Sequence, residues 1–221
     1  MAEWLEIFSK ALVYGFALVA VGAVTVQHGL LRLARPRLSA ELRHAVSLDV
    51  RRLLRTTAFG VLGALLLRAW AHTASAFGIV EALSLANLEV IAIESRWAAG
   101  WHLQIASAAT LCVLAVTAAS RPRALPLTMP AVLLVCVALP HTGHPAGHTW
   151  RELLHAVHVL AGGAWLGTLF VAVRTVPAAR AALLHAFAPI AMTAAATVGV
   201  AGLAMSVIYV GTVENLLVRP Y

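Results

Sequence analysis

The chain has 221 residues, 61% hydrophobic and 11% charged, with a mean hydropathy of +0.87. Soluble domains average about 45–50% apolar and about 25% charged residues. An ordinary soluble globule, a disordered tail and a disulfide-stapled mini-domain are therefore excluded, which leaves a polytopic membrane protein. The formal net charge of +7 raises the question of a nucleic-acid partner, and the placement of the charges decides it.

The N-terminus, Met1-Ala2-Glu3-Trp4-Leu5-Glu6, is acidic where a secretory signal is basic, and no small-residue cleavage site follows the first apolar run. That run is read as the first span. A spanning helix needs roughly 20 apolar residues at about 1.5 Å rise each. Six stretches qualify, at about 9–31, 56–77, 98–119, 125–141, 151–173 and 184–210. The predicted fold is an all-α membrane protein, a single transmembrane domain over 1–221 built as a bundle of about six helices. Between the first two spans, the segment 36–55 carries Leu38, Leu42, Val46, Val50, Leu53 and Leu54 at helical spacing. It reads as an amphipathic helix lying on the cytoplasmic membrane surface, with an arginine-rich polar face.

Loop charges set the orientation, because short cytoplasmic loops collect Lys and Arg. Arg32, Arg35, Arg37, Arg43, Arg51, Arg52 and Arg55 fall in one loop, Arg121 and Arg123 two segments later, and Arg174 and Arg180 two later again. That places eleven of sixteen basic residues on one side, while Glu3, Glu6, Glu81, Glu89, Glu94, Glu152 and Glu214 lie on the other. Six spans with both termini periplasmic in a bacterial inner membrane satisfy this pattern. The basic charge is thus a topology signal, the lipid bilayer is the partner it implies, and no nucleic-acid partner is expected.

Seven of the ten histidines fall at the outer face: His72, His102, His141, His144, His148, His155 and His158. Five of them lie within the eighteen residues 141–158. Imidazole suits Cu, Zn, Ni and Fe. His155 and His158, three apart on a helix, share a face at about 5–6 Å between Cβ atoms, and the preceding Gly/Pro-rich loop can fold over to add His141, His144 or His148. Loop histidines also serve as polar filler and interfacial ones as carbonyl partners, but this density on one side favours a metal. Glu152, Trp165, His72 and His102 stand as additional ligands or as groups that hold the ligands in place. Trp165, seven residues after His158, returns to nearly the same helix face about 10 Å deeper. Gly163 and Gly167 form a small-xxx-small pair for close helix packing.

Two imidazoles from different helices at one depth also suit a b-type haem, with His72, His102, His155 and His158 available. A metal-binding accessory protein without transport is the third reading. Cys112 and Met192 could form a deep Cu(I) stop; Cys112 and Cys136, about 10 Å apart in depth, do not make a paired-cysteine site. Arg68 is expected to snorkel or to pair with Glu152 or a loop acid. Pro189 breaks or kinks the sixth span. There is no phosphate-binding glycine loop, nucleophile elbow or intramembrane acid pair, so no enzymatic activity is expected.

The segment Gly143-His144-Pro145-Ala146, followed by His158-Val159-Leu160-Ala161-Gly162-Gly163-Ala164-Trp165-Leu166-Gly167, resembles the signature of the CopD family of bacterial inner-membrane copper-resistance proteins. Thr168 stands where that family usually has a second glycine, and Pro145 intervenes before Ala146. The resemblance covers roughly 140–170, extends less clearly over 184–221, and implies binding and uptake of periplasmic copper, as Cu(I) or Cu(II), beside a CopC-like periplasmic carrier. His144 and His158 would be the copper contacts. Members of that family usually continue with further spans beyond a segment like 212–221, which implies a shortened or partial member.

Overall fold

The computed structural model describes residues 2–143 and 146–210, and helices are the regular structure throughout them. Six are long and apolar enough to span a membrane: α1 (Ala2–Leu33), α2 (Ala40–Phe77), α3 (Ala98–Ser120), α4 (Pro122–Thr142), α5 (Thr149–Arg174) and α6 (Pro177–Tyr209). This is the architecture of a multi-pass membrane protein.

α1 is the hub. It packs along α2, α4 and α5, while α2 packs on α3 and α3 on α4, and α6 lies outside against α5. One apolar core runs through this assembly, and α1 supplies much of it through Val13, Ala17, Ala20, Val21, Ala23, Val24 and Val26. Small side chains dominate because lipid is as apolar as leucine. Helices in a membrane associate by close packing rather than by escape from water. The closest approach joins α1 to α5, where a Cβ added at Gly22 would overlap the Gly167 backbone and one at Gly167 would overlap the Leu18 carbonyl. The expected small-residue pair thus packs on α1.

Helices outlast the predicted spans in three places, one of them α6, which begins at Pro177 and not near residue 184. α1 starts at Ala2, not near residue 9, and the segment 36–55 is no separate surface helix. Its residues from Ala40 onward form the first half of a 38-residue α2, roughly 57 Å long and nearly twice a ~30 Å hydrocarbon core. Ser39 starts this helix, its side chain accepting from the Leu42 amide at 3.2 Å. Gly78 ends it at φ 95°, a conformation L side chains rarely adopt. The apolar stripe Val46, Val50 and Leu54 is buried in the core, so its helical spacing reports packing on protein.

The segment between α2 and α3 is also helical in part, with a 3₁₀ turn Glu81–Leu83, a short helix Leu85–Glu89 and a π-turn Val90–Glu94. Further π-turns interrupt α1 at Val26–Leu30 and α5 at Gly163–Gly167. The one in α5 changes an expectation. It adds a residue to the turn, so Trp165 does not return to the His158 face by regular 3.6-residue counting. Trp165 is half-buried against the apolar core. Pro189, by contrast, lies within a continuous helical stretch of α6.

Candidate functional site

The polar residues of the bundle gather at two ends. At the arginine end, Arg37 lies 3.1 Å from His185. The opposite end holds His72, His102, His141, His148, His155 and His158, and its centre is a buried cation.

Arg68 on α2 is only 4% exposed. It does not snorkel, and it does not pair with Glu152. Its guanidinium makes two long contacts of 3.5 Å, donating to Gln104 Oε1 on α3 and to the Thr142 carbonyl at the end of α4. It also sits 5.9 Å from the Trp97 ring centroid, a cation–π geometry. Gln104, 1% exposed, donates its amide to the Ala138 carbonyl at 3.2 Å, the Leu139 carbonyl at 2.9 Å and Thr142 Oγ1 at 2.8 Å. The need for these donors is local. α4 closes in a 3₁₀ turn, Leu139–Thr142, and the last carbonyls of a helix have no partner within it. A cation beside them also meets the negative end of the helix dipole. Gly100 on α3 completes the junction, because a Cβ there would overlap the His141 carbonyl. Three helices are thereby clamped at the residues from which the histidine-rich loop departs.

Around this clamp stand the histidines. Tyr14 Oη on α1 and His155 Nε2 on α5 are 2.9 Å apart, in a hydrogen bond whose donor depends on the imidazole tautomer. His158 is turned toward α6, where a Cβ at Gly202 would meet its Cε1 at 3.3 Å. His141 Nε2 lies 3.8 Å from Glu152 Oε2, and Glu152 Oε1 accepts the Gly147 amide at 2.9 Å, which ties the loop to the first turn of α5. His72 Nδ1 lies 3.6 Å from Glu6 Oε1, itself 2.8 Å from Lys10 Nζ, and the His72 ring stacks on Trp97 at 4.8 Å. Trp97 stacks in turn on Trp101, and the exposed His102 lies beyond it at 5.5 Å. His148 is exposed at the start of α5.

Among the described residues, no three of His, Cys, Asp and Glu converge as one metal-ligand set. His155 and His158 reach different neighbours, Tyr14 on α1 and Gly202 on α6, although they share a face by spacing. His72 and His102 are separated by two indoles, so that pair does not face across a haem plane. Cys112 and Cys136 are both free and buried in the apolar core. Met192 is 73% exposed on α6, a helix that packs on α5 and not on α3, so it is not brought to Cys112. His144 lies outside the described residues. The Nδ1 atoms of His141 and His158, and Nε2 of His28 on α1, are buried and have no hydrogen-bond partner among the described residues, while His72 Nδ1 has the Glu6 carboxylate at 3.6 Å.

Sequence reasoning missed Glu6, Tyr14, Trp97, Trp101 and Gln104. The spacing of Trp97, Trp101 and Gln104, four and then three residues apart, places them on one helix face, and a lone glutamine within a span was the readable signal. No protein-family model, curated protein or solved structure matches the chain.

Proposed function

We propose that this chain is a copper-handling protein of the bacterial inner membrane, which binds periplasmic copper at its histidine end and moves it toward the other side. The observation that carries this reading is the pair of buried imidazole nitrogens, Nδ1 of His141 and Nδ1 of His158, that have no hydrogen-bond partner among the described residues at the histidine end of the bundle. A buried polar atom left unpaired is costly, and an imidazole lone pair is satisfied equally by a proton donor or by a borderline metal ion. The Arg68–Gln104 clamp holds the base of the loop that carries His141, His144 and His148. Glu152 holds its far side through the Gly147 amide. The CopD-like segment His158–Gly167 supports copper over other ions, and a CopC-like carrier would deliver it. The arginine end takes the cytoplasmic face by the positive-inside rule, which leaves the histidine end in the periplasm. The work is binding and transfer, without catalysis.

Copper accumulation in cells expressing the chain tests this. Wild type is expected to raise accumulation, and His144→Ala and His158→Ala to abolish the rise. Unchanged accumulation in both variants contradicts the assignment.

A further inference from the structure

The arginine end carries two adjoining clefts that copper handling does not use. The first, about 520 Å³, lies along the outer side of α5, with Leu166, Leu169, Phe170 and Val173 as its walls and Arg174 and Arg180 at its end. The second, about 370 Å³, opens between α2 and the end of α5, with Asp49, Arg52, Arg174 and Thr175 among its lining. Arg174 belongs to both, so an apolar channel and a basic recess meet at one guanidinium.

One residue lining the recess carries an unsatisfied polar atom. Thr175 is 4% exposed, and its Oγ1 is buried with no hydrogen-bond partner among the described residues. The neighbouring Thr56 hydroxyl donates to the Arg52 carbonyl at 3.1 Å and makes no hydrogen bond to Thr175. The polar lining holds three guanidinium groups, Arg52, Arg174 and Arg180, against one carboxylate, Asp49. Guanidinium binds phosphate through paired N–H donors. The channel beside it is apolar and faces outward: Leu166 is 51%, Phe170 50% and Val173 46% exposed.

We infer that the two clefts form one binding site for an anionic glycerophospholipid. Its phosphate lies between Arg52 and Arg174 and accepts a hydrogen bond from Thr175 Oγ1. One acyl chain runs along Leu166, Leu169, Phe170 and Val173, and Arg180 flanks the headgroup where α6 begins. A free phosphate would use the recess but leave the channel unfilled, which is why the lipid is the assigned source. Basic recesses between membrane helices at the cytoplasmic face are a recurrent setting for such headgroups. The assignment does not depend on copper.

Native mass spectrometry of the full chain in detergent, titrated with phosphatidylglycerol, tests the site, with size-exclusion chromatography to confirm that each variant is folded. Wild type is expected to retain the lipid through detergent stripping. Arg174→Gln should weaken retention about tenfold or more, and the near-isosteric Thr175→Val about two- to tenfold, as expected for losing an ion pair with the phosphate and a single hydroxyl hydrogen bond. Arg121→Gln/Arg123→Gln, which removes two exposed charges from the same end, should leave retention unchanged. Equal retention by wild type, Arg174→Gln and Thr175→Val overturns the site, as does an equal loss in the Arg121/Arg123 variant. Displacement of the lipid by millimolar inorganic phosphate would reassign the recess to a free anion, and equal retention of phosphatidylethanolamine would remove the requirement for net negative charge. Thr175→Val alone keeps the question decidable where Arg174→Gln does not fold.

Discussion

Arg68 and Gln104 share a contact of 3.5 Å across the α2–α3 interface, and each also reaches the end of α4, Arg68 at the Thr142 carbonyl and Gln104 at three of its acceptors. One amide therefore orients a buried guanidinium and terminates a helix at the same time. Replacing Gln104 with leucine leaves the Ala138 and Leu139 carbonyls and one Arg68 donor without partners, at a cost of about 1–3 kcal/mol. Thermal unfolding in detergent should show a clearly lowered midpoint. A midpoint equal to wild type contradicts the clamp.

Arg68→Lys tests the shape of the cation. Lysine keeps the charge but offers neither a planar fork to reach Gln104 and Thr142 together nor a stacking surface for Trp97. The expected loss is about 1–2 kcal/mol, seen in the same unfolding assay. Stability equal to wild type would show that charge alone matters at this position.

The α1–α5 contact makes a sharper structural prediction. Gly22→Ala places a methyl group into the Gly167 backbone, which must move, and overpacking of this kind costs about 1–3 kcal/mol. Gly199→Ala, on the exposed side of α6 with nothing within 4 Å of its added Cβ, should be neutral or stabilising by less than about 1 kcal/mol. Unfolding midpoints of the two variants check the contrast. Equal effects would mean that the helices do not meet where the glycines are.

Copper affinity should fall with acidity. An imidazole nitrogen that carries a proton cannot bind a metal, and ordinary histidine protonates at about pH 6.5. Affinity is therefore expected to be lower at pH 5 than at pH 7.5, as isothermal titration calorimetry at the two pH values would show. Affinity independent of pH across this range would point away from histidine ligands.

The six spans were legible because each is a long apolar run, and a run of that length has few alternatives in lipid. Where helices outlast the apolar run, the sequence signal changes character. Leu42, Val46 and Val50 look like the buried stripe of a surface helix, and spacing alone does not distinguish a lipid headgroup layer from α1 as the surface that buries them. The π-turn in α5 was not legible either, since its extra residue comes with close packing between Gly163–Gly167 and α1. The gathering of histidines at one end followed from counting along the spans. Their partners did not, because Tyr14 and His155 lie 141 positions apart and meet only through the packing of α1 on α5. Arg68 was misjudged for the same reason: its neighbours Gln104 and Thr142 come from other helices, so a snorkelling path to water was the reading available from its own span.

Copper bound per chain, measured by elemental analysis of the purified protein together with its absorption spectrum, tests the copper assignment most directly. Wild type should bind copper near stoichiometrically without a haem Soret band, and the His141→Ala/His158→Ala variant should lose affinity tenfold or more, at least as much as typical losses on mutating groups that support a metal site. Copper binding unchanged in that variant, or a stoichiometric Soret band in wild type with no bound copper, would contradict it.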